Sequence, residues 1–361
     1  MAGPRFDPRG YPTRREADVA CSVDIVGVQR TERAAEMDSL RIVFMGTAEL
    51  ACASLAELGH APFARVVGVV TQPDRPKGRE LRLQPSPVKQ LADRLGLPVL
   101  QPERARHPDC LDQLRGLQPD LIVVAAYGQI LPQSILDLPR FGCINVHASL
   151  LPKYRGAAPI QWAILDGQAE TGVTLMKMDA GLDTGAILTQ AATTLHPSDD
   201  AQSLHDRLAR LGARLLVATI PDYVAGRISP RPQPAEGASY ARKITKEDRH
   251  LDWRQPAQSL WNRVRAFKPW PGAFTFLPAQ PKPRLLKIWE TEVVDHAGAR
   301  PGVILTAEKT GITVGCGSEA LRILSLQLEG GKRLGAQEFL NGHPLKTGDE
   351  LGGIGVRSDA S

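Results

Sequence analysis

Along the first two thirds of the chain, short unbroken apolar runs alternate with longer stretches whose apolar residues recur at helical spacing. Runs at 41–45, 66–71, 99–100 and 121–126, and the one entering Asn145 and His147, read as strands, because strands buried on both faces need no polar alternation. Helices are expected between them at about 50–58, 88–95 and 109–116, and the Pro-, Lys- and Arg-rich stretch 72–87 reads as a loop. Further strands are expected at 173–178 and 187–193. A helix at 199–219 then closes the region, with Leu204, Leu208, Leu211 and Leu215 on one stripe. Strands separated by helices mean βαβ units, so the expected fold class is α/β: a mostly parallel, Rossmann-like sheet with helices on both faces.

The pattern changes at 228–236, where Pro230, Pro232 and Pro234 exclude a central strand or helix and predict a semi-rigid linker. A helix at 257–267 follows, then short strand-like runs at 273–276, 284–291, 302–306, 311–314 and 321–327 separated by turn residues, the pattern of a small β-barrel. Residues 1–36 carry Pro4, Pro8 and Pro12 and no sustained period. They are expected to be a disordered or mis-called extension, with Met37 just ahead of the first strand. The expected plan is an extension (1–36), a catalytic domain (37–226), a Pro-rich linker (227–240), a C-terminal domain (241–350) and a tail (351–361).

Length agrees with this plan, since 361 residues exceed one ordinary core. No apolar run approaches the roughly 20 residues that span a bilayer, and Arg5, Asp7 and Arg9 interrupt any signal-peptide core, so a cytoplasmic protein without a membrane partner is expected. Cys21, Cys52, Cys110, Cys143 and Cys316 are odd in number and lack C-x-x-C spacing, which suggests neither a disulfide framework nor a metal site. The net charge of +5 lies wholly in residues 241–361, with 18 basic and 13 acidic side chains. Such a domain suits a polyanion, or is a solvated basic face with no partner.

Candidate chemistry gathers at one strand end. Two-residue spacing puts Asn145 and His147 on one face, and Asp183 stands between Gly181 and Gly185 in a loop able to bend sharply. An amide, an imidazole and a carboxylate around one point can hold a carbonyl oxygen, donate to it as it becomes an oxyanion and manage a proton. A lone histidine is more often a satisfied core residue, but Asn145 and the following turn favour chemistry here. His60, His107, His196, His205, His250, His296 and His343 have no such company and read as surface or structural. Gly46 is the only glycine where a dinucleotide fingerprint needs three, so Gly46 and Thr47 read as a tight strand-to-helix turn. Ala126, Tyr127 and Gly128 are either a plain strand end or, with Leu150 and Leu151, the wall of a ring-binding pocket. The basic residues from Lys243 to Lys268, interleaved with Trp253, Trp261, Phe267 and Trp270, are either core or a stacking and phosphate-binding surface.

The run Asn145-x-His147-x-Ser149-Leu150-Leu151-Pro152, with the later Gly181-Leu182-Asp183-Thr184-Gly185, resembles the folate-dependent formyltransferases. Segments 40–47, 71–75, 85–89, 125–128, 170–174, 244–248 and 267–272 extend the resemblance from about Leu40 to Gly348. They point to the branch that acts on an aminoacyl-tRNA. The resemblance implies 10-formyltetrahydrofolate as donor and direct transfer to the α-amino group of initiator methionyl-tRNA for translation initiation; a monomer without a metal is expected. It implies catalysis by Asn145, His147 and Asp183, and folate binding by Ala126, Tyr127, Gly128, Ser149, Leu150, Leu151 and Pro152. It implies tRNA binding by Arg79, Arg82, Lys243, Lys246 and Arg265, and an oligonucleotide-binding-like barrel at the C-terminus. Glu80 and Leu81 depart from the family's basic loop, although Arg79 and Arg82 keep the charge. A formyltransferase of small amines and a non-catalytic RNA-binding protein are the alternatives. The basic domain disfavours the first, the intact trio the second.

Overall fold

The computed structural model describes residues 39–77, 82–279 and 282–352. The extension 1–36 and Arg79 lie outside the described residues, as does the side chain of Arg82. The chain begins β1 (Leu40–Gly46), α1 (Glu49–His60) and β2 (Ala64–Val70). A short antiparallel hairpin, β3 (Arg75–Lys77) and β4 (Arg82–Gln84), replaces the expected loop. α2 (Pro87–Arg94) follows, its first turn capped where the Ser86 hydroxyl accepts from Lys89 N. Next come β5 (Val99–Leu100), α3 (Pro108–Gly116), β6 (Leu121–Ala125), α4 (Gln133–Leu136) and β7 (Cys143–His147). β8 (Arg155–Gly156), α5 (Pro159–Leu165), β9 (Glu170–Lys177), β10 (Ala186–Thr194) and α6 (Ala201–Val224) complete the first domain.

Seven strands form one sheet in the order β10-β9-β7-β6-β1-β2-β5, parallel except where β9 meets β7 and β10. Alternation along β1 explains the layers. Ile42 and Phe44 point into a core closed by α1 and α6, while Val43 and Met45 point into a second core with α3 and α4. β1 is flanked by β2 on one side and by β6, which comes later in the chain, on the other. Successive connections therefore diverge there and leave a crevice beyond the carboxyl ends of β1 and β6, where open α/β sheets bind ligands. Gly46 keeps the crevice floor tight. A Cβ there would lie 2.9 Å from Ala51 Cβ and 3.0 Å from Ala125 O.

The segment expected as a free linker is bonded to this sheet. Arg231 exchanges two backbone hydrogen bonds with Ile187 on β10 (2.7 and 2.8 Å), and β11 (Tyr240–Ala241) pairs in parallel with β8. Beyond it, α7 (Ala257–Ala266) packs under an antiparallel sheet of β12 (Ala273–Leu277), β13 (Arg284–Val294), β14 (Ile304–Glu308), β15 (Gly311–Gly315) and β16 (Ala320–Leu328). The order is β12-β13-β16-β15-β14. Two elements not expected, β17 (Arg333–Gly335) and α8 (Ala336–Gly342), follow on the β16 side. Leu260, Phe267, Ile288, Ile323, Leu326 and Phe339 share the apolar core of this domain. Residues 348–352 then touch both outer strands. Ile304 N donates to Asp349 O, and Gly352 N donates to Phe276 O, each across 2.7–2.8 Å.

The two domains meet through α5, α7 and the start of the second domain. Trp162 on α5 donates to Arg242 O (2.9 Å), and the Arg242 guanidinium lies over its ring. Arg242 also grips Asp248 with both terminal nitrogens (2.5 and 2.6 Å). That guanidinium holds the Asp248 carboxyl down to about 2, from an ordinary 3.8. Because the folded-state value is depressed, this stabilisation is complete above the unfolded value and is lost as pH falls toward the folded one. Asp248→Asn should therefore be less stable than the parent by a constant margin above about pH 5, and the gap should close as the pH approaches about 2. Urea unfolding at a series of pH values reads this out; a gap that widens on acidification would reject it.

Candidate active site

β7 carries Asn145 and His147 to the crevice on one face, beside the ends of β1 and β6. His147 is buried, and the turn after β7 fixes its ring. Tyr154 takes a left-handed backbone conformation, φ +61°, that aims its carbonyl at His147 Nε2, 2.8 Å away. A carbonyl only accepts, so the proton sits on Nε2 and Nδ1 is the nitrogen turned toward Asp183. Tyr154 is itself held at three points. Its N–H donates to Ser239 Oγ, its hydroxyl to Asp166, and its carbonyl takes the imidazole.

Asp183 sits in the turn between β9 and β10 at φ +53°, a conformation that costs a non-glycine residue about 1–2 kcal/mol. Its Oδ2 accepts from Gly156 N at 2.7 Å and lies 3.7 Å from His147 Nδ1, and its Oδ1 lies 3.4 Å from Asn145 Nδ2. The carboxylate is thus the point on which the expected trio converges. Asp179 Oδ1 accepts from Gly181 N and Thr184 Oγ1 and shapes the turn from below. Gly185 is required there, because a Cβ would run into Lys177 O. Cys143 shares the face of Asn145 and His147, but burial pushes its thiol up to about 12, so it is no thiolate at neutral pH.

A cavity of about 680 Å³ opens from this cluster. Ala126, Tyr127 and Gly128 line it, in a backbone bent by positive φ at Ala126 and Gly128. Thr47 Oγ1 and Gln72 Nε2 both donate to Tyr127 O and pin that bend to the end of β1 and the strand beside it. Ser149, Leu150, Leu151 and Pro152 do not line the cavity. Ser149 is enclosed with its hydroxyl donating to Lys153 O, Leu151 packs with Met176 and Ile187, and Leu150 packs over Gly172. The apolar wall expected of Leu150 and Leu151 is instead built by Leu50, Ile130, Leu131, Ile160 and Leu182. Ile130 and Leu182 are 82% and 55% exposed and form apolar lips at the mouth. His205, expected to be surface or structural, also lines the cavity; its place on α6 gave no signal, because only the tertiary fold turns that helix face toward the crevice.

The basic residues separate into free and committed ones. Lys243 and Lys246 are exposed. Arg265 is half-buried: its guanidinium stacks on Trp261 and donates to Asp199 O, Pro197 O and Asn262 Oδ1. It ties the second domain to the start of α6, so fewer of its donors are free than those of the two lysines. Among the described residues, no group of three or more His, Cys, Asp or Glu side chains is placed to hold a metal, and no helix is long and apolar enough to cross a membrane.

Comparison with known proteins fits this geometry. Residues 40–220 match the family described as formyl transferase, and residues 243–344 match the formyl transferase C-terminal domain. A methionyl-tRNA formyltransferase of Geobacter metallireducens is 51% identical over 316 residues, covering 88% of this chain and 100% of the relative. Another, from Caldanaerobacter subterraneus, is 50% identical over 313 residues, covering 86% and 100%. The fold recurs in an N-formyltransferase of Helicobacter canadensis solved with folinic acid and dTDP-3-aminofucose (20% identity, TM-score 0.56, 79% of this chain and 98% of that one). It recurs also in HypX of Aquifex aeolicus solved with tetrahydrofolic acid (17% identity, TM-score 0.55, 84% of this chain). This chain spans 47% of HypX.

The bend at Gly128 gives a direct test of the cavity wall. A Cβ at this position, φ +82°, would lie 2.8 Å from Gln72 Nε2, the donor that pins Tyr127 O. Gly128→Ala should cost about 1–2 kcal/mol in chemical denaturation, and ligand affinity at the cavity should fall with it. Wild-type stability and affinity together would show that the wall does not depend on this turn.

Proposed function

The chain belongs to the formyl transferase family, on the branch of the methionyl-tRNA formyltransferases, and on that premise we propose that Asn145, His147 and Asp183 transfer a formyl group to the α-amino group of initiator methionyl-tRNA. The donor is 10-formyltetrahydrofolate, which supplies the formyl carbon. The observation that carries the reading is the convergence of Asn145 Nδ2 and His147 Nδ1 on the Asp183 carboxylate at the mouth of an apolar cavity. At about 680 Å³ the cavity lies within the range usual for small-molecule sites, roughly 300–1,000 Å³. A flat ring with polar edges suits it, because both apolar side chains and the bent backbone at 126–128 line it.

The amine nitrogen forms a bond to the formyl carbon, and negative charge develops on the formyl oxygen. Asn145 Nδ2 and, in the cationic ring that carries a proton on both nitrogens, His147 Nδ1 donate to that oxygen; a fixed donor of this kind is worth about 2.7–4 kcal/mol. The Asp183 carboxylate favours the cationic ring by its charge and receives, through water, the proton that leaves the amine. The bond to the folate nitrogen then breaks, and that nitrogen takes up a proton. No protein nucleophile is needed, in keeping with the un-ionised thiol of Cys143.

Lys243 and Lys246, with Arg79 and Arg82, supply charge for the tRNA backbone in this reading, and the excess of basic over acidic groups in 241–361 serves the same end. We read the C-terminal sheet as an oligonucleotide-binding-like barrel, since residues 348–352 bond to both of its outer strands. We read the protein as a cytoplasmic monomer whose catalytic unit starts after residue 36.

Formation of formyl-methionyl-tRNA from methionyl-tRNA and 10-formyltetrahydrofolate is the direct assay. Asn145→Ala, His147→Ala and Asp183→Ala should each lower kcat by about 10²-fold or more while the melting temperature stays near that of the parent. A folded His147→Ala protein within a few-fold of parental activity removes the imidazole from the mechanism. Charge reversal separates the substrates. Lys243→Glu with Lys246→Glu should weaken tRNA binding and reduce the slope of log affinity against log salt by about 0.7–0.9 for each phosphate no longer neutralised, sparing folate affinity. An unchanged salt slope would move recognition to the 75–82 hairpin.

A further inference from the structure

Gln233 lies between Pro232 and Pro234 in the segment that joins the domains, and its side-chain amide reaches back into the catalytic cluster. Nε2 donates to Asp183 O and to Gly185 O, both at 2.8 Å. Oε1 accepts from Arg155 Nε and Nη2, at 3.0 and 2.7 Å. Only one orientation of the amide satisfies all four partners, because a flip would set its N–H groups against the guanidinium and its oxygen against two carbonyls. Arg155 stands next to Gly156, whose N–H holds the Asp183 carboxylate. A closed ring of interactions therefore runs from Gln233 through Arg155 and Gly156 to Asp183 and back to Gln233.

We propose that Gln233 is a positioning residue for formyl transfer: it clamps the Asp183–Gly185 turn so that the strained Asp183 backbone keeps its carboxylate on His147 and Asn145. The inference rests on the assignment of Asp183 as catalytic. It gives the inter-domain segment a part in the chemistry, since Gln233 is held between two further attachments of that segment. Arg231 pairs with Ile187, and Ser239 and Ala241 accept hydrogen bonds from residues 154–158. Neither Gln233 nor Arg155 lines the cavity or is one of the exposed lysines, and the clamp reaches the cavity only through Asp183 and Gly156, so its loss affects turnover more than the binding of either substrate.

In the full-length protein, Gln233→Glu keeps the shape and the partner for Arg155 but removes both donors to the turn. It should lower kcat about ten- to hundredfold and leave KM for folate and tRNA within about threefold, as expected when a reacting group is misplaced by a fraction of an ångström. In an Asp183→Ala background the same substitution should cost nothing further in single-turnover rate, because the two act as one unit. Arg155→Met, which frees Oε1, should show the same pattern more weakly and serves if Gln233→Glu does not fold. Parental kcat in Gln233→Glu overturns the proposal, as does an equal fold-loss with and without Asp183. Parental kcat in Asp183→Ala alone would instead overturn the assignment of the carboxylate itself.

Discussion

The 2.7 Å hydrogen bond from Gly156 N to Asp183 Oδ2 is the interaction on which the rest of the site depends. It joins the turn after β7 to the turn between β9 and β10, and each turn contains a non-glycine residue in the left-handed region, Tyr154 and Asp183. Those conformations cost about 1–2 kcal/mol apiece, whereas a hydrogen bond to a charged group contributes about 1.5–3 kcal/mol. One such bond roughly offsets the strain and leaves nothing over. The remaining support comes from Ser239 on Tyr154 and from Gln233 on the Asp183 turn, both supplied by the segment leading to the second domain. The first domain therefore completes the proposed centre with residues that follow its last helix.

Much of the sheet was legible because its strands are buried on both faces and say so in unbroken apolar runs. β1, β2, β5, β6 and β7 lie within a residue or two of where the pattern puts them, and α6 follows the Leu204, Leu208, Leu211, Leu215 stripe five residues beyond its expected end, to Val224. Asn145 and His147 were legible for the same reason. Two-residue spacing on a buried strand fixes their common face, and burial on both sides leaves one place for it to open. Asp183 needed more, because only a turn conformation brings it back to that face.

What was not legible has a common cause: it depends on partners far away in sequence. β3 is three residues with Pro76 between two basic side chains, β4 is three residues, and β8 and β11 are two residues each, all too short to carry a period. Leu150 and Leu151 are apolar in a position that suits a pocket wall, yet Thr174 receives Leu151 N and donates to Ser149 O, and this turns the segment into the sheet. Arg265 reads as a surface cation until the docked carbonyls of 196–199 claim its guanidinium. Gln233 stands between prolines, which mark a linker, and a proline-flanked residue keeps a side chain free to act even where its backbone joins no element.

Residues 348–352 carry a further consequence for how the second domain is made. β12 and β14 are the outer strands of its sheet, and an outer strand with unpaired N–H and C=O groups is a template for another chain. Hydrogen bonds from 348–352 to Gly302, Ile304 and Phe276 occupy parts of both edges with chain that comes after every strand in sequence. During synthesis the edges thus stay available for intermolecular pairing until this last stretch has emerged. A chain that ends before residue 348 lacks these bonds, and the parts of both outer strands that they occupy are then open to pairing with another chain.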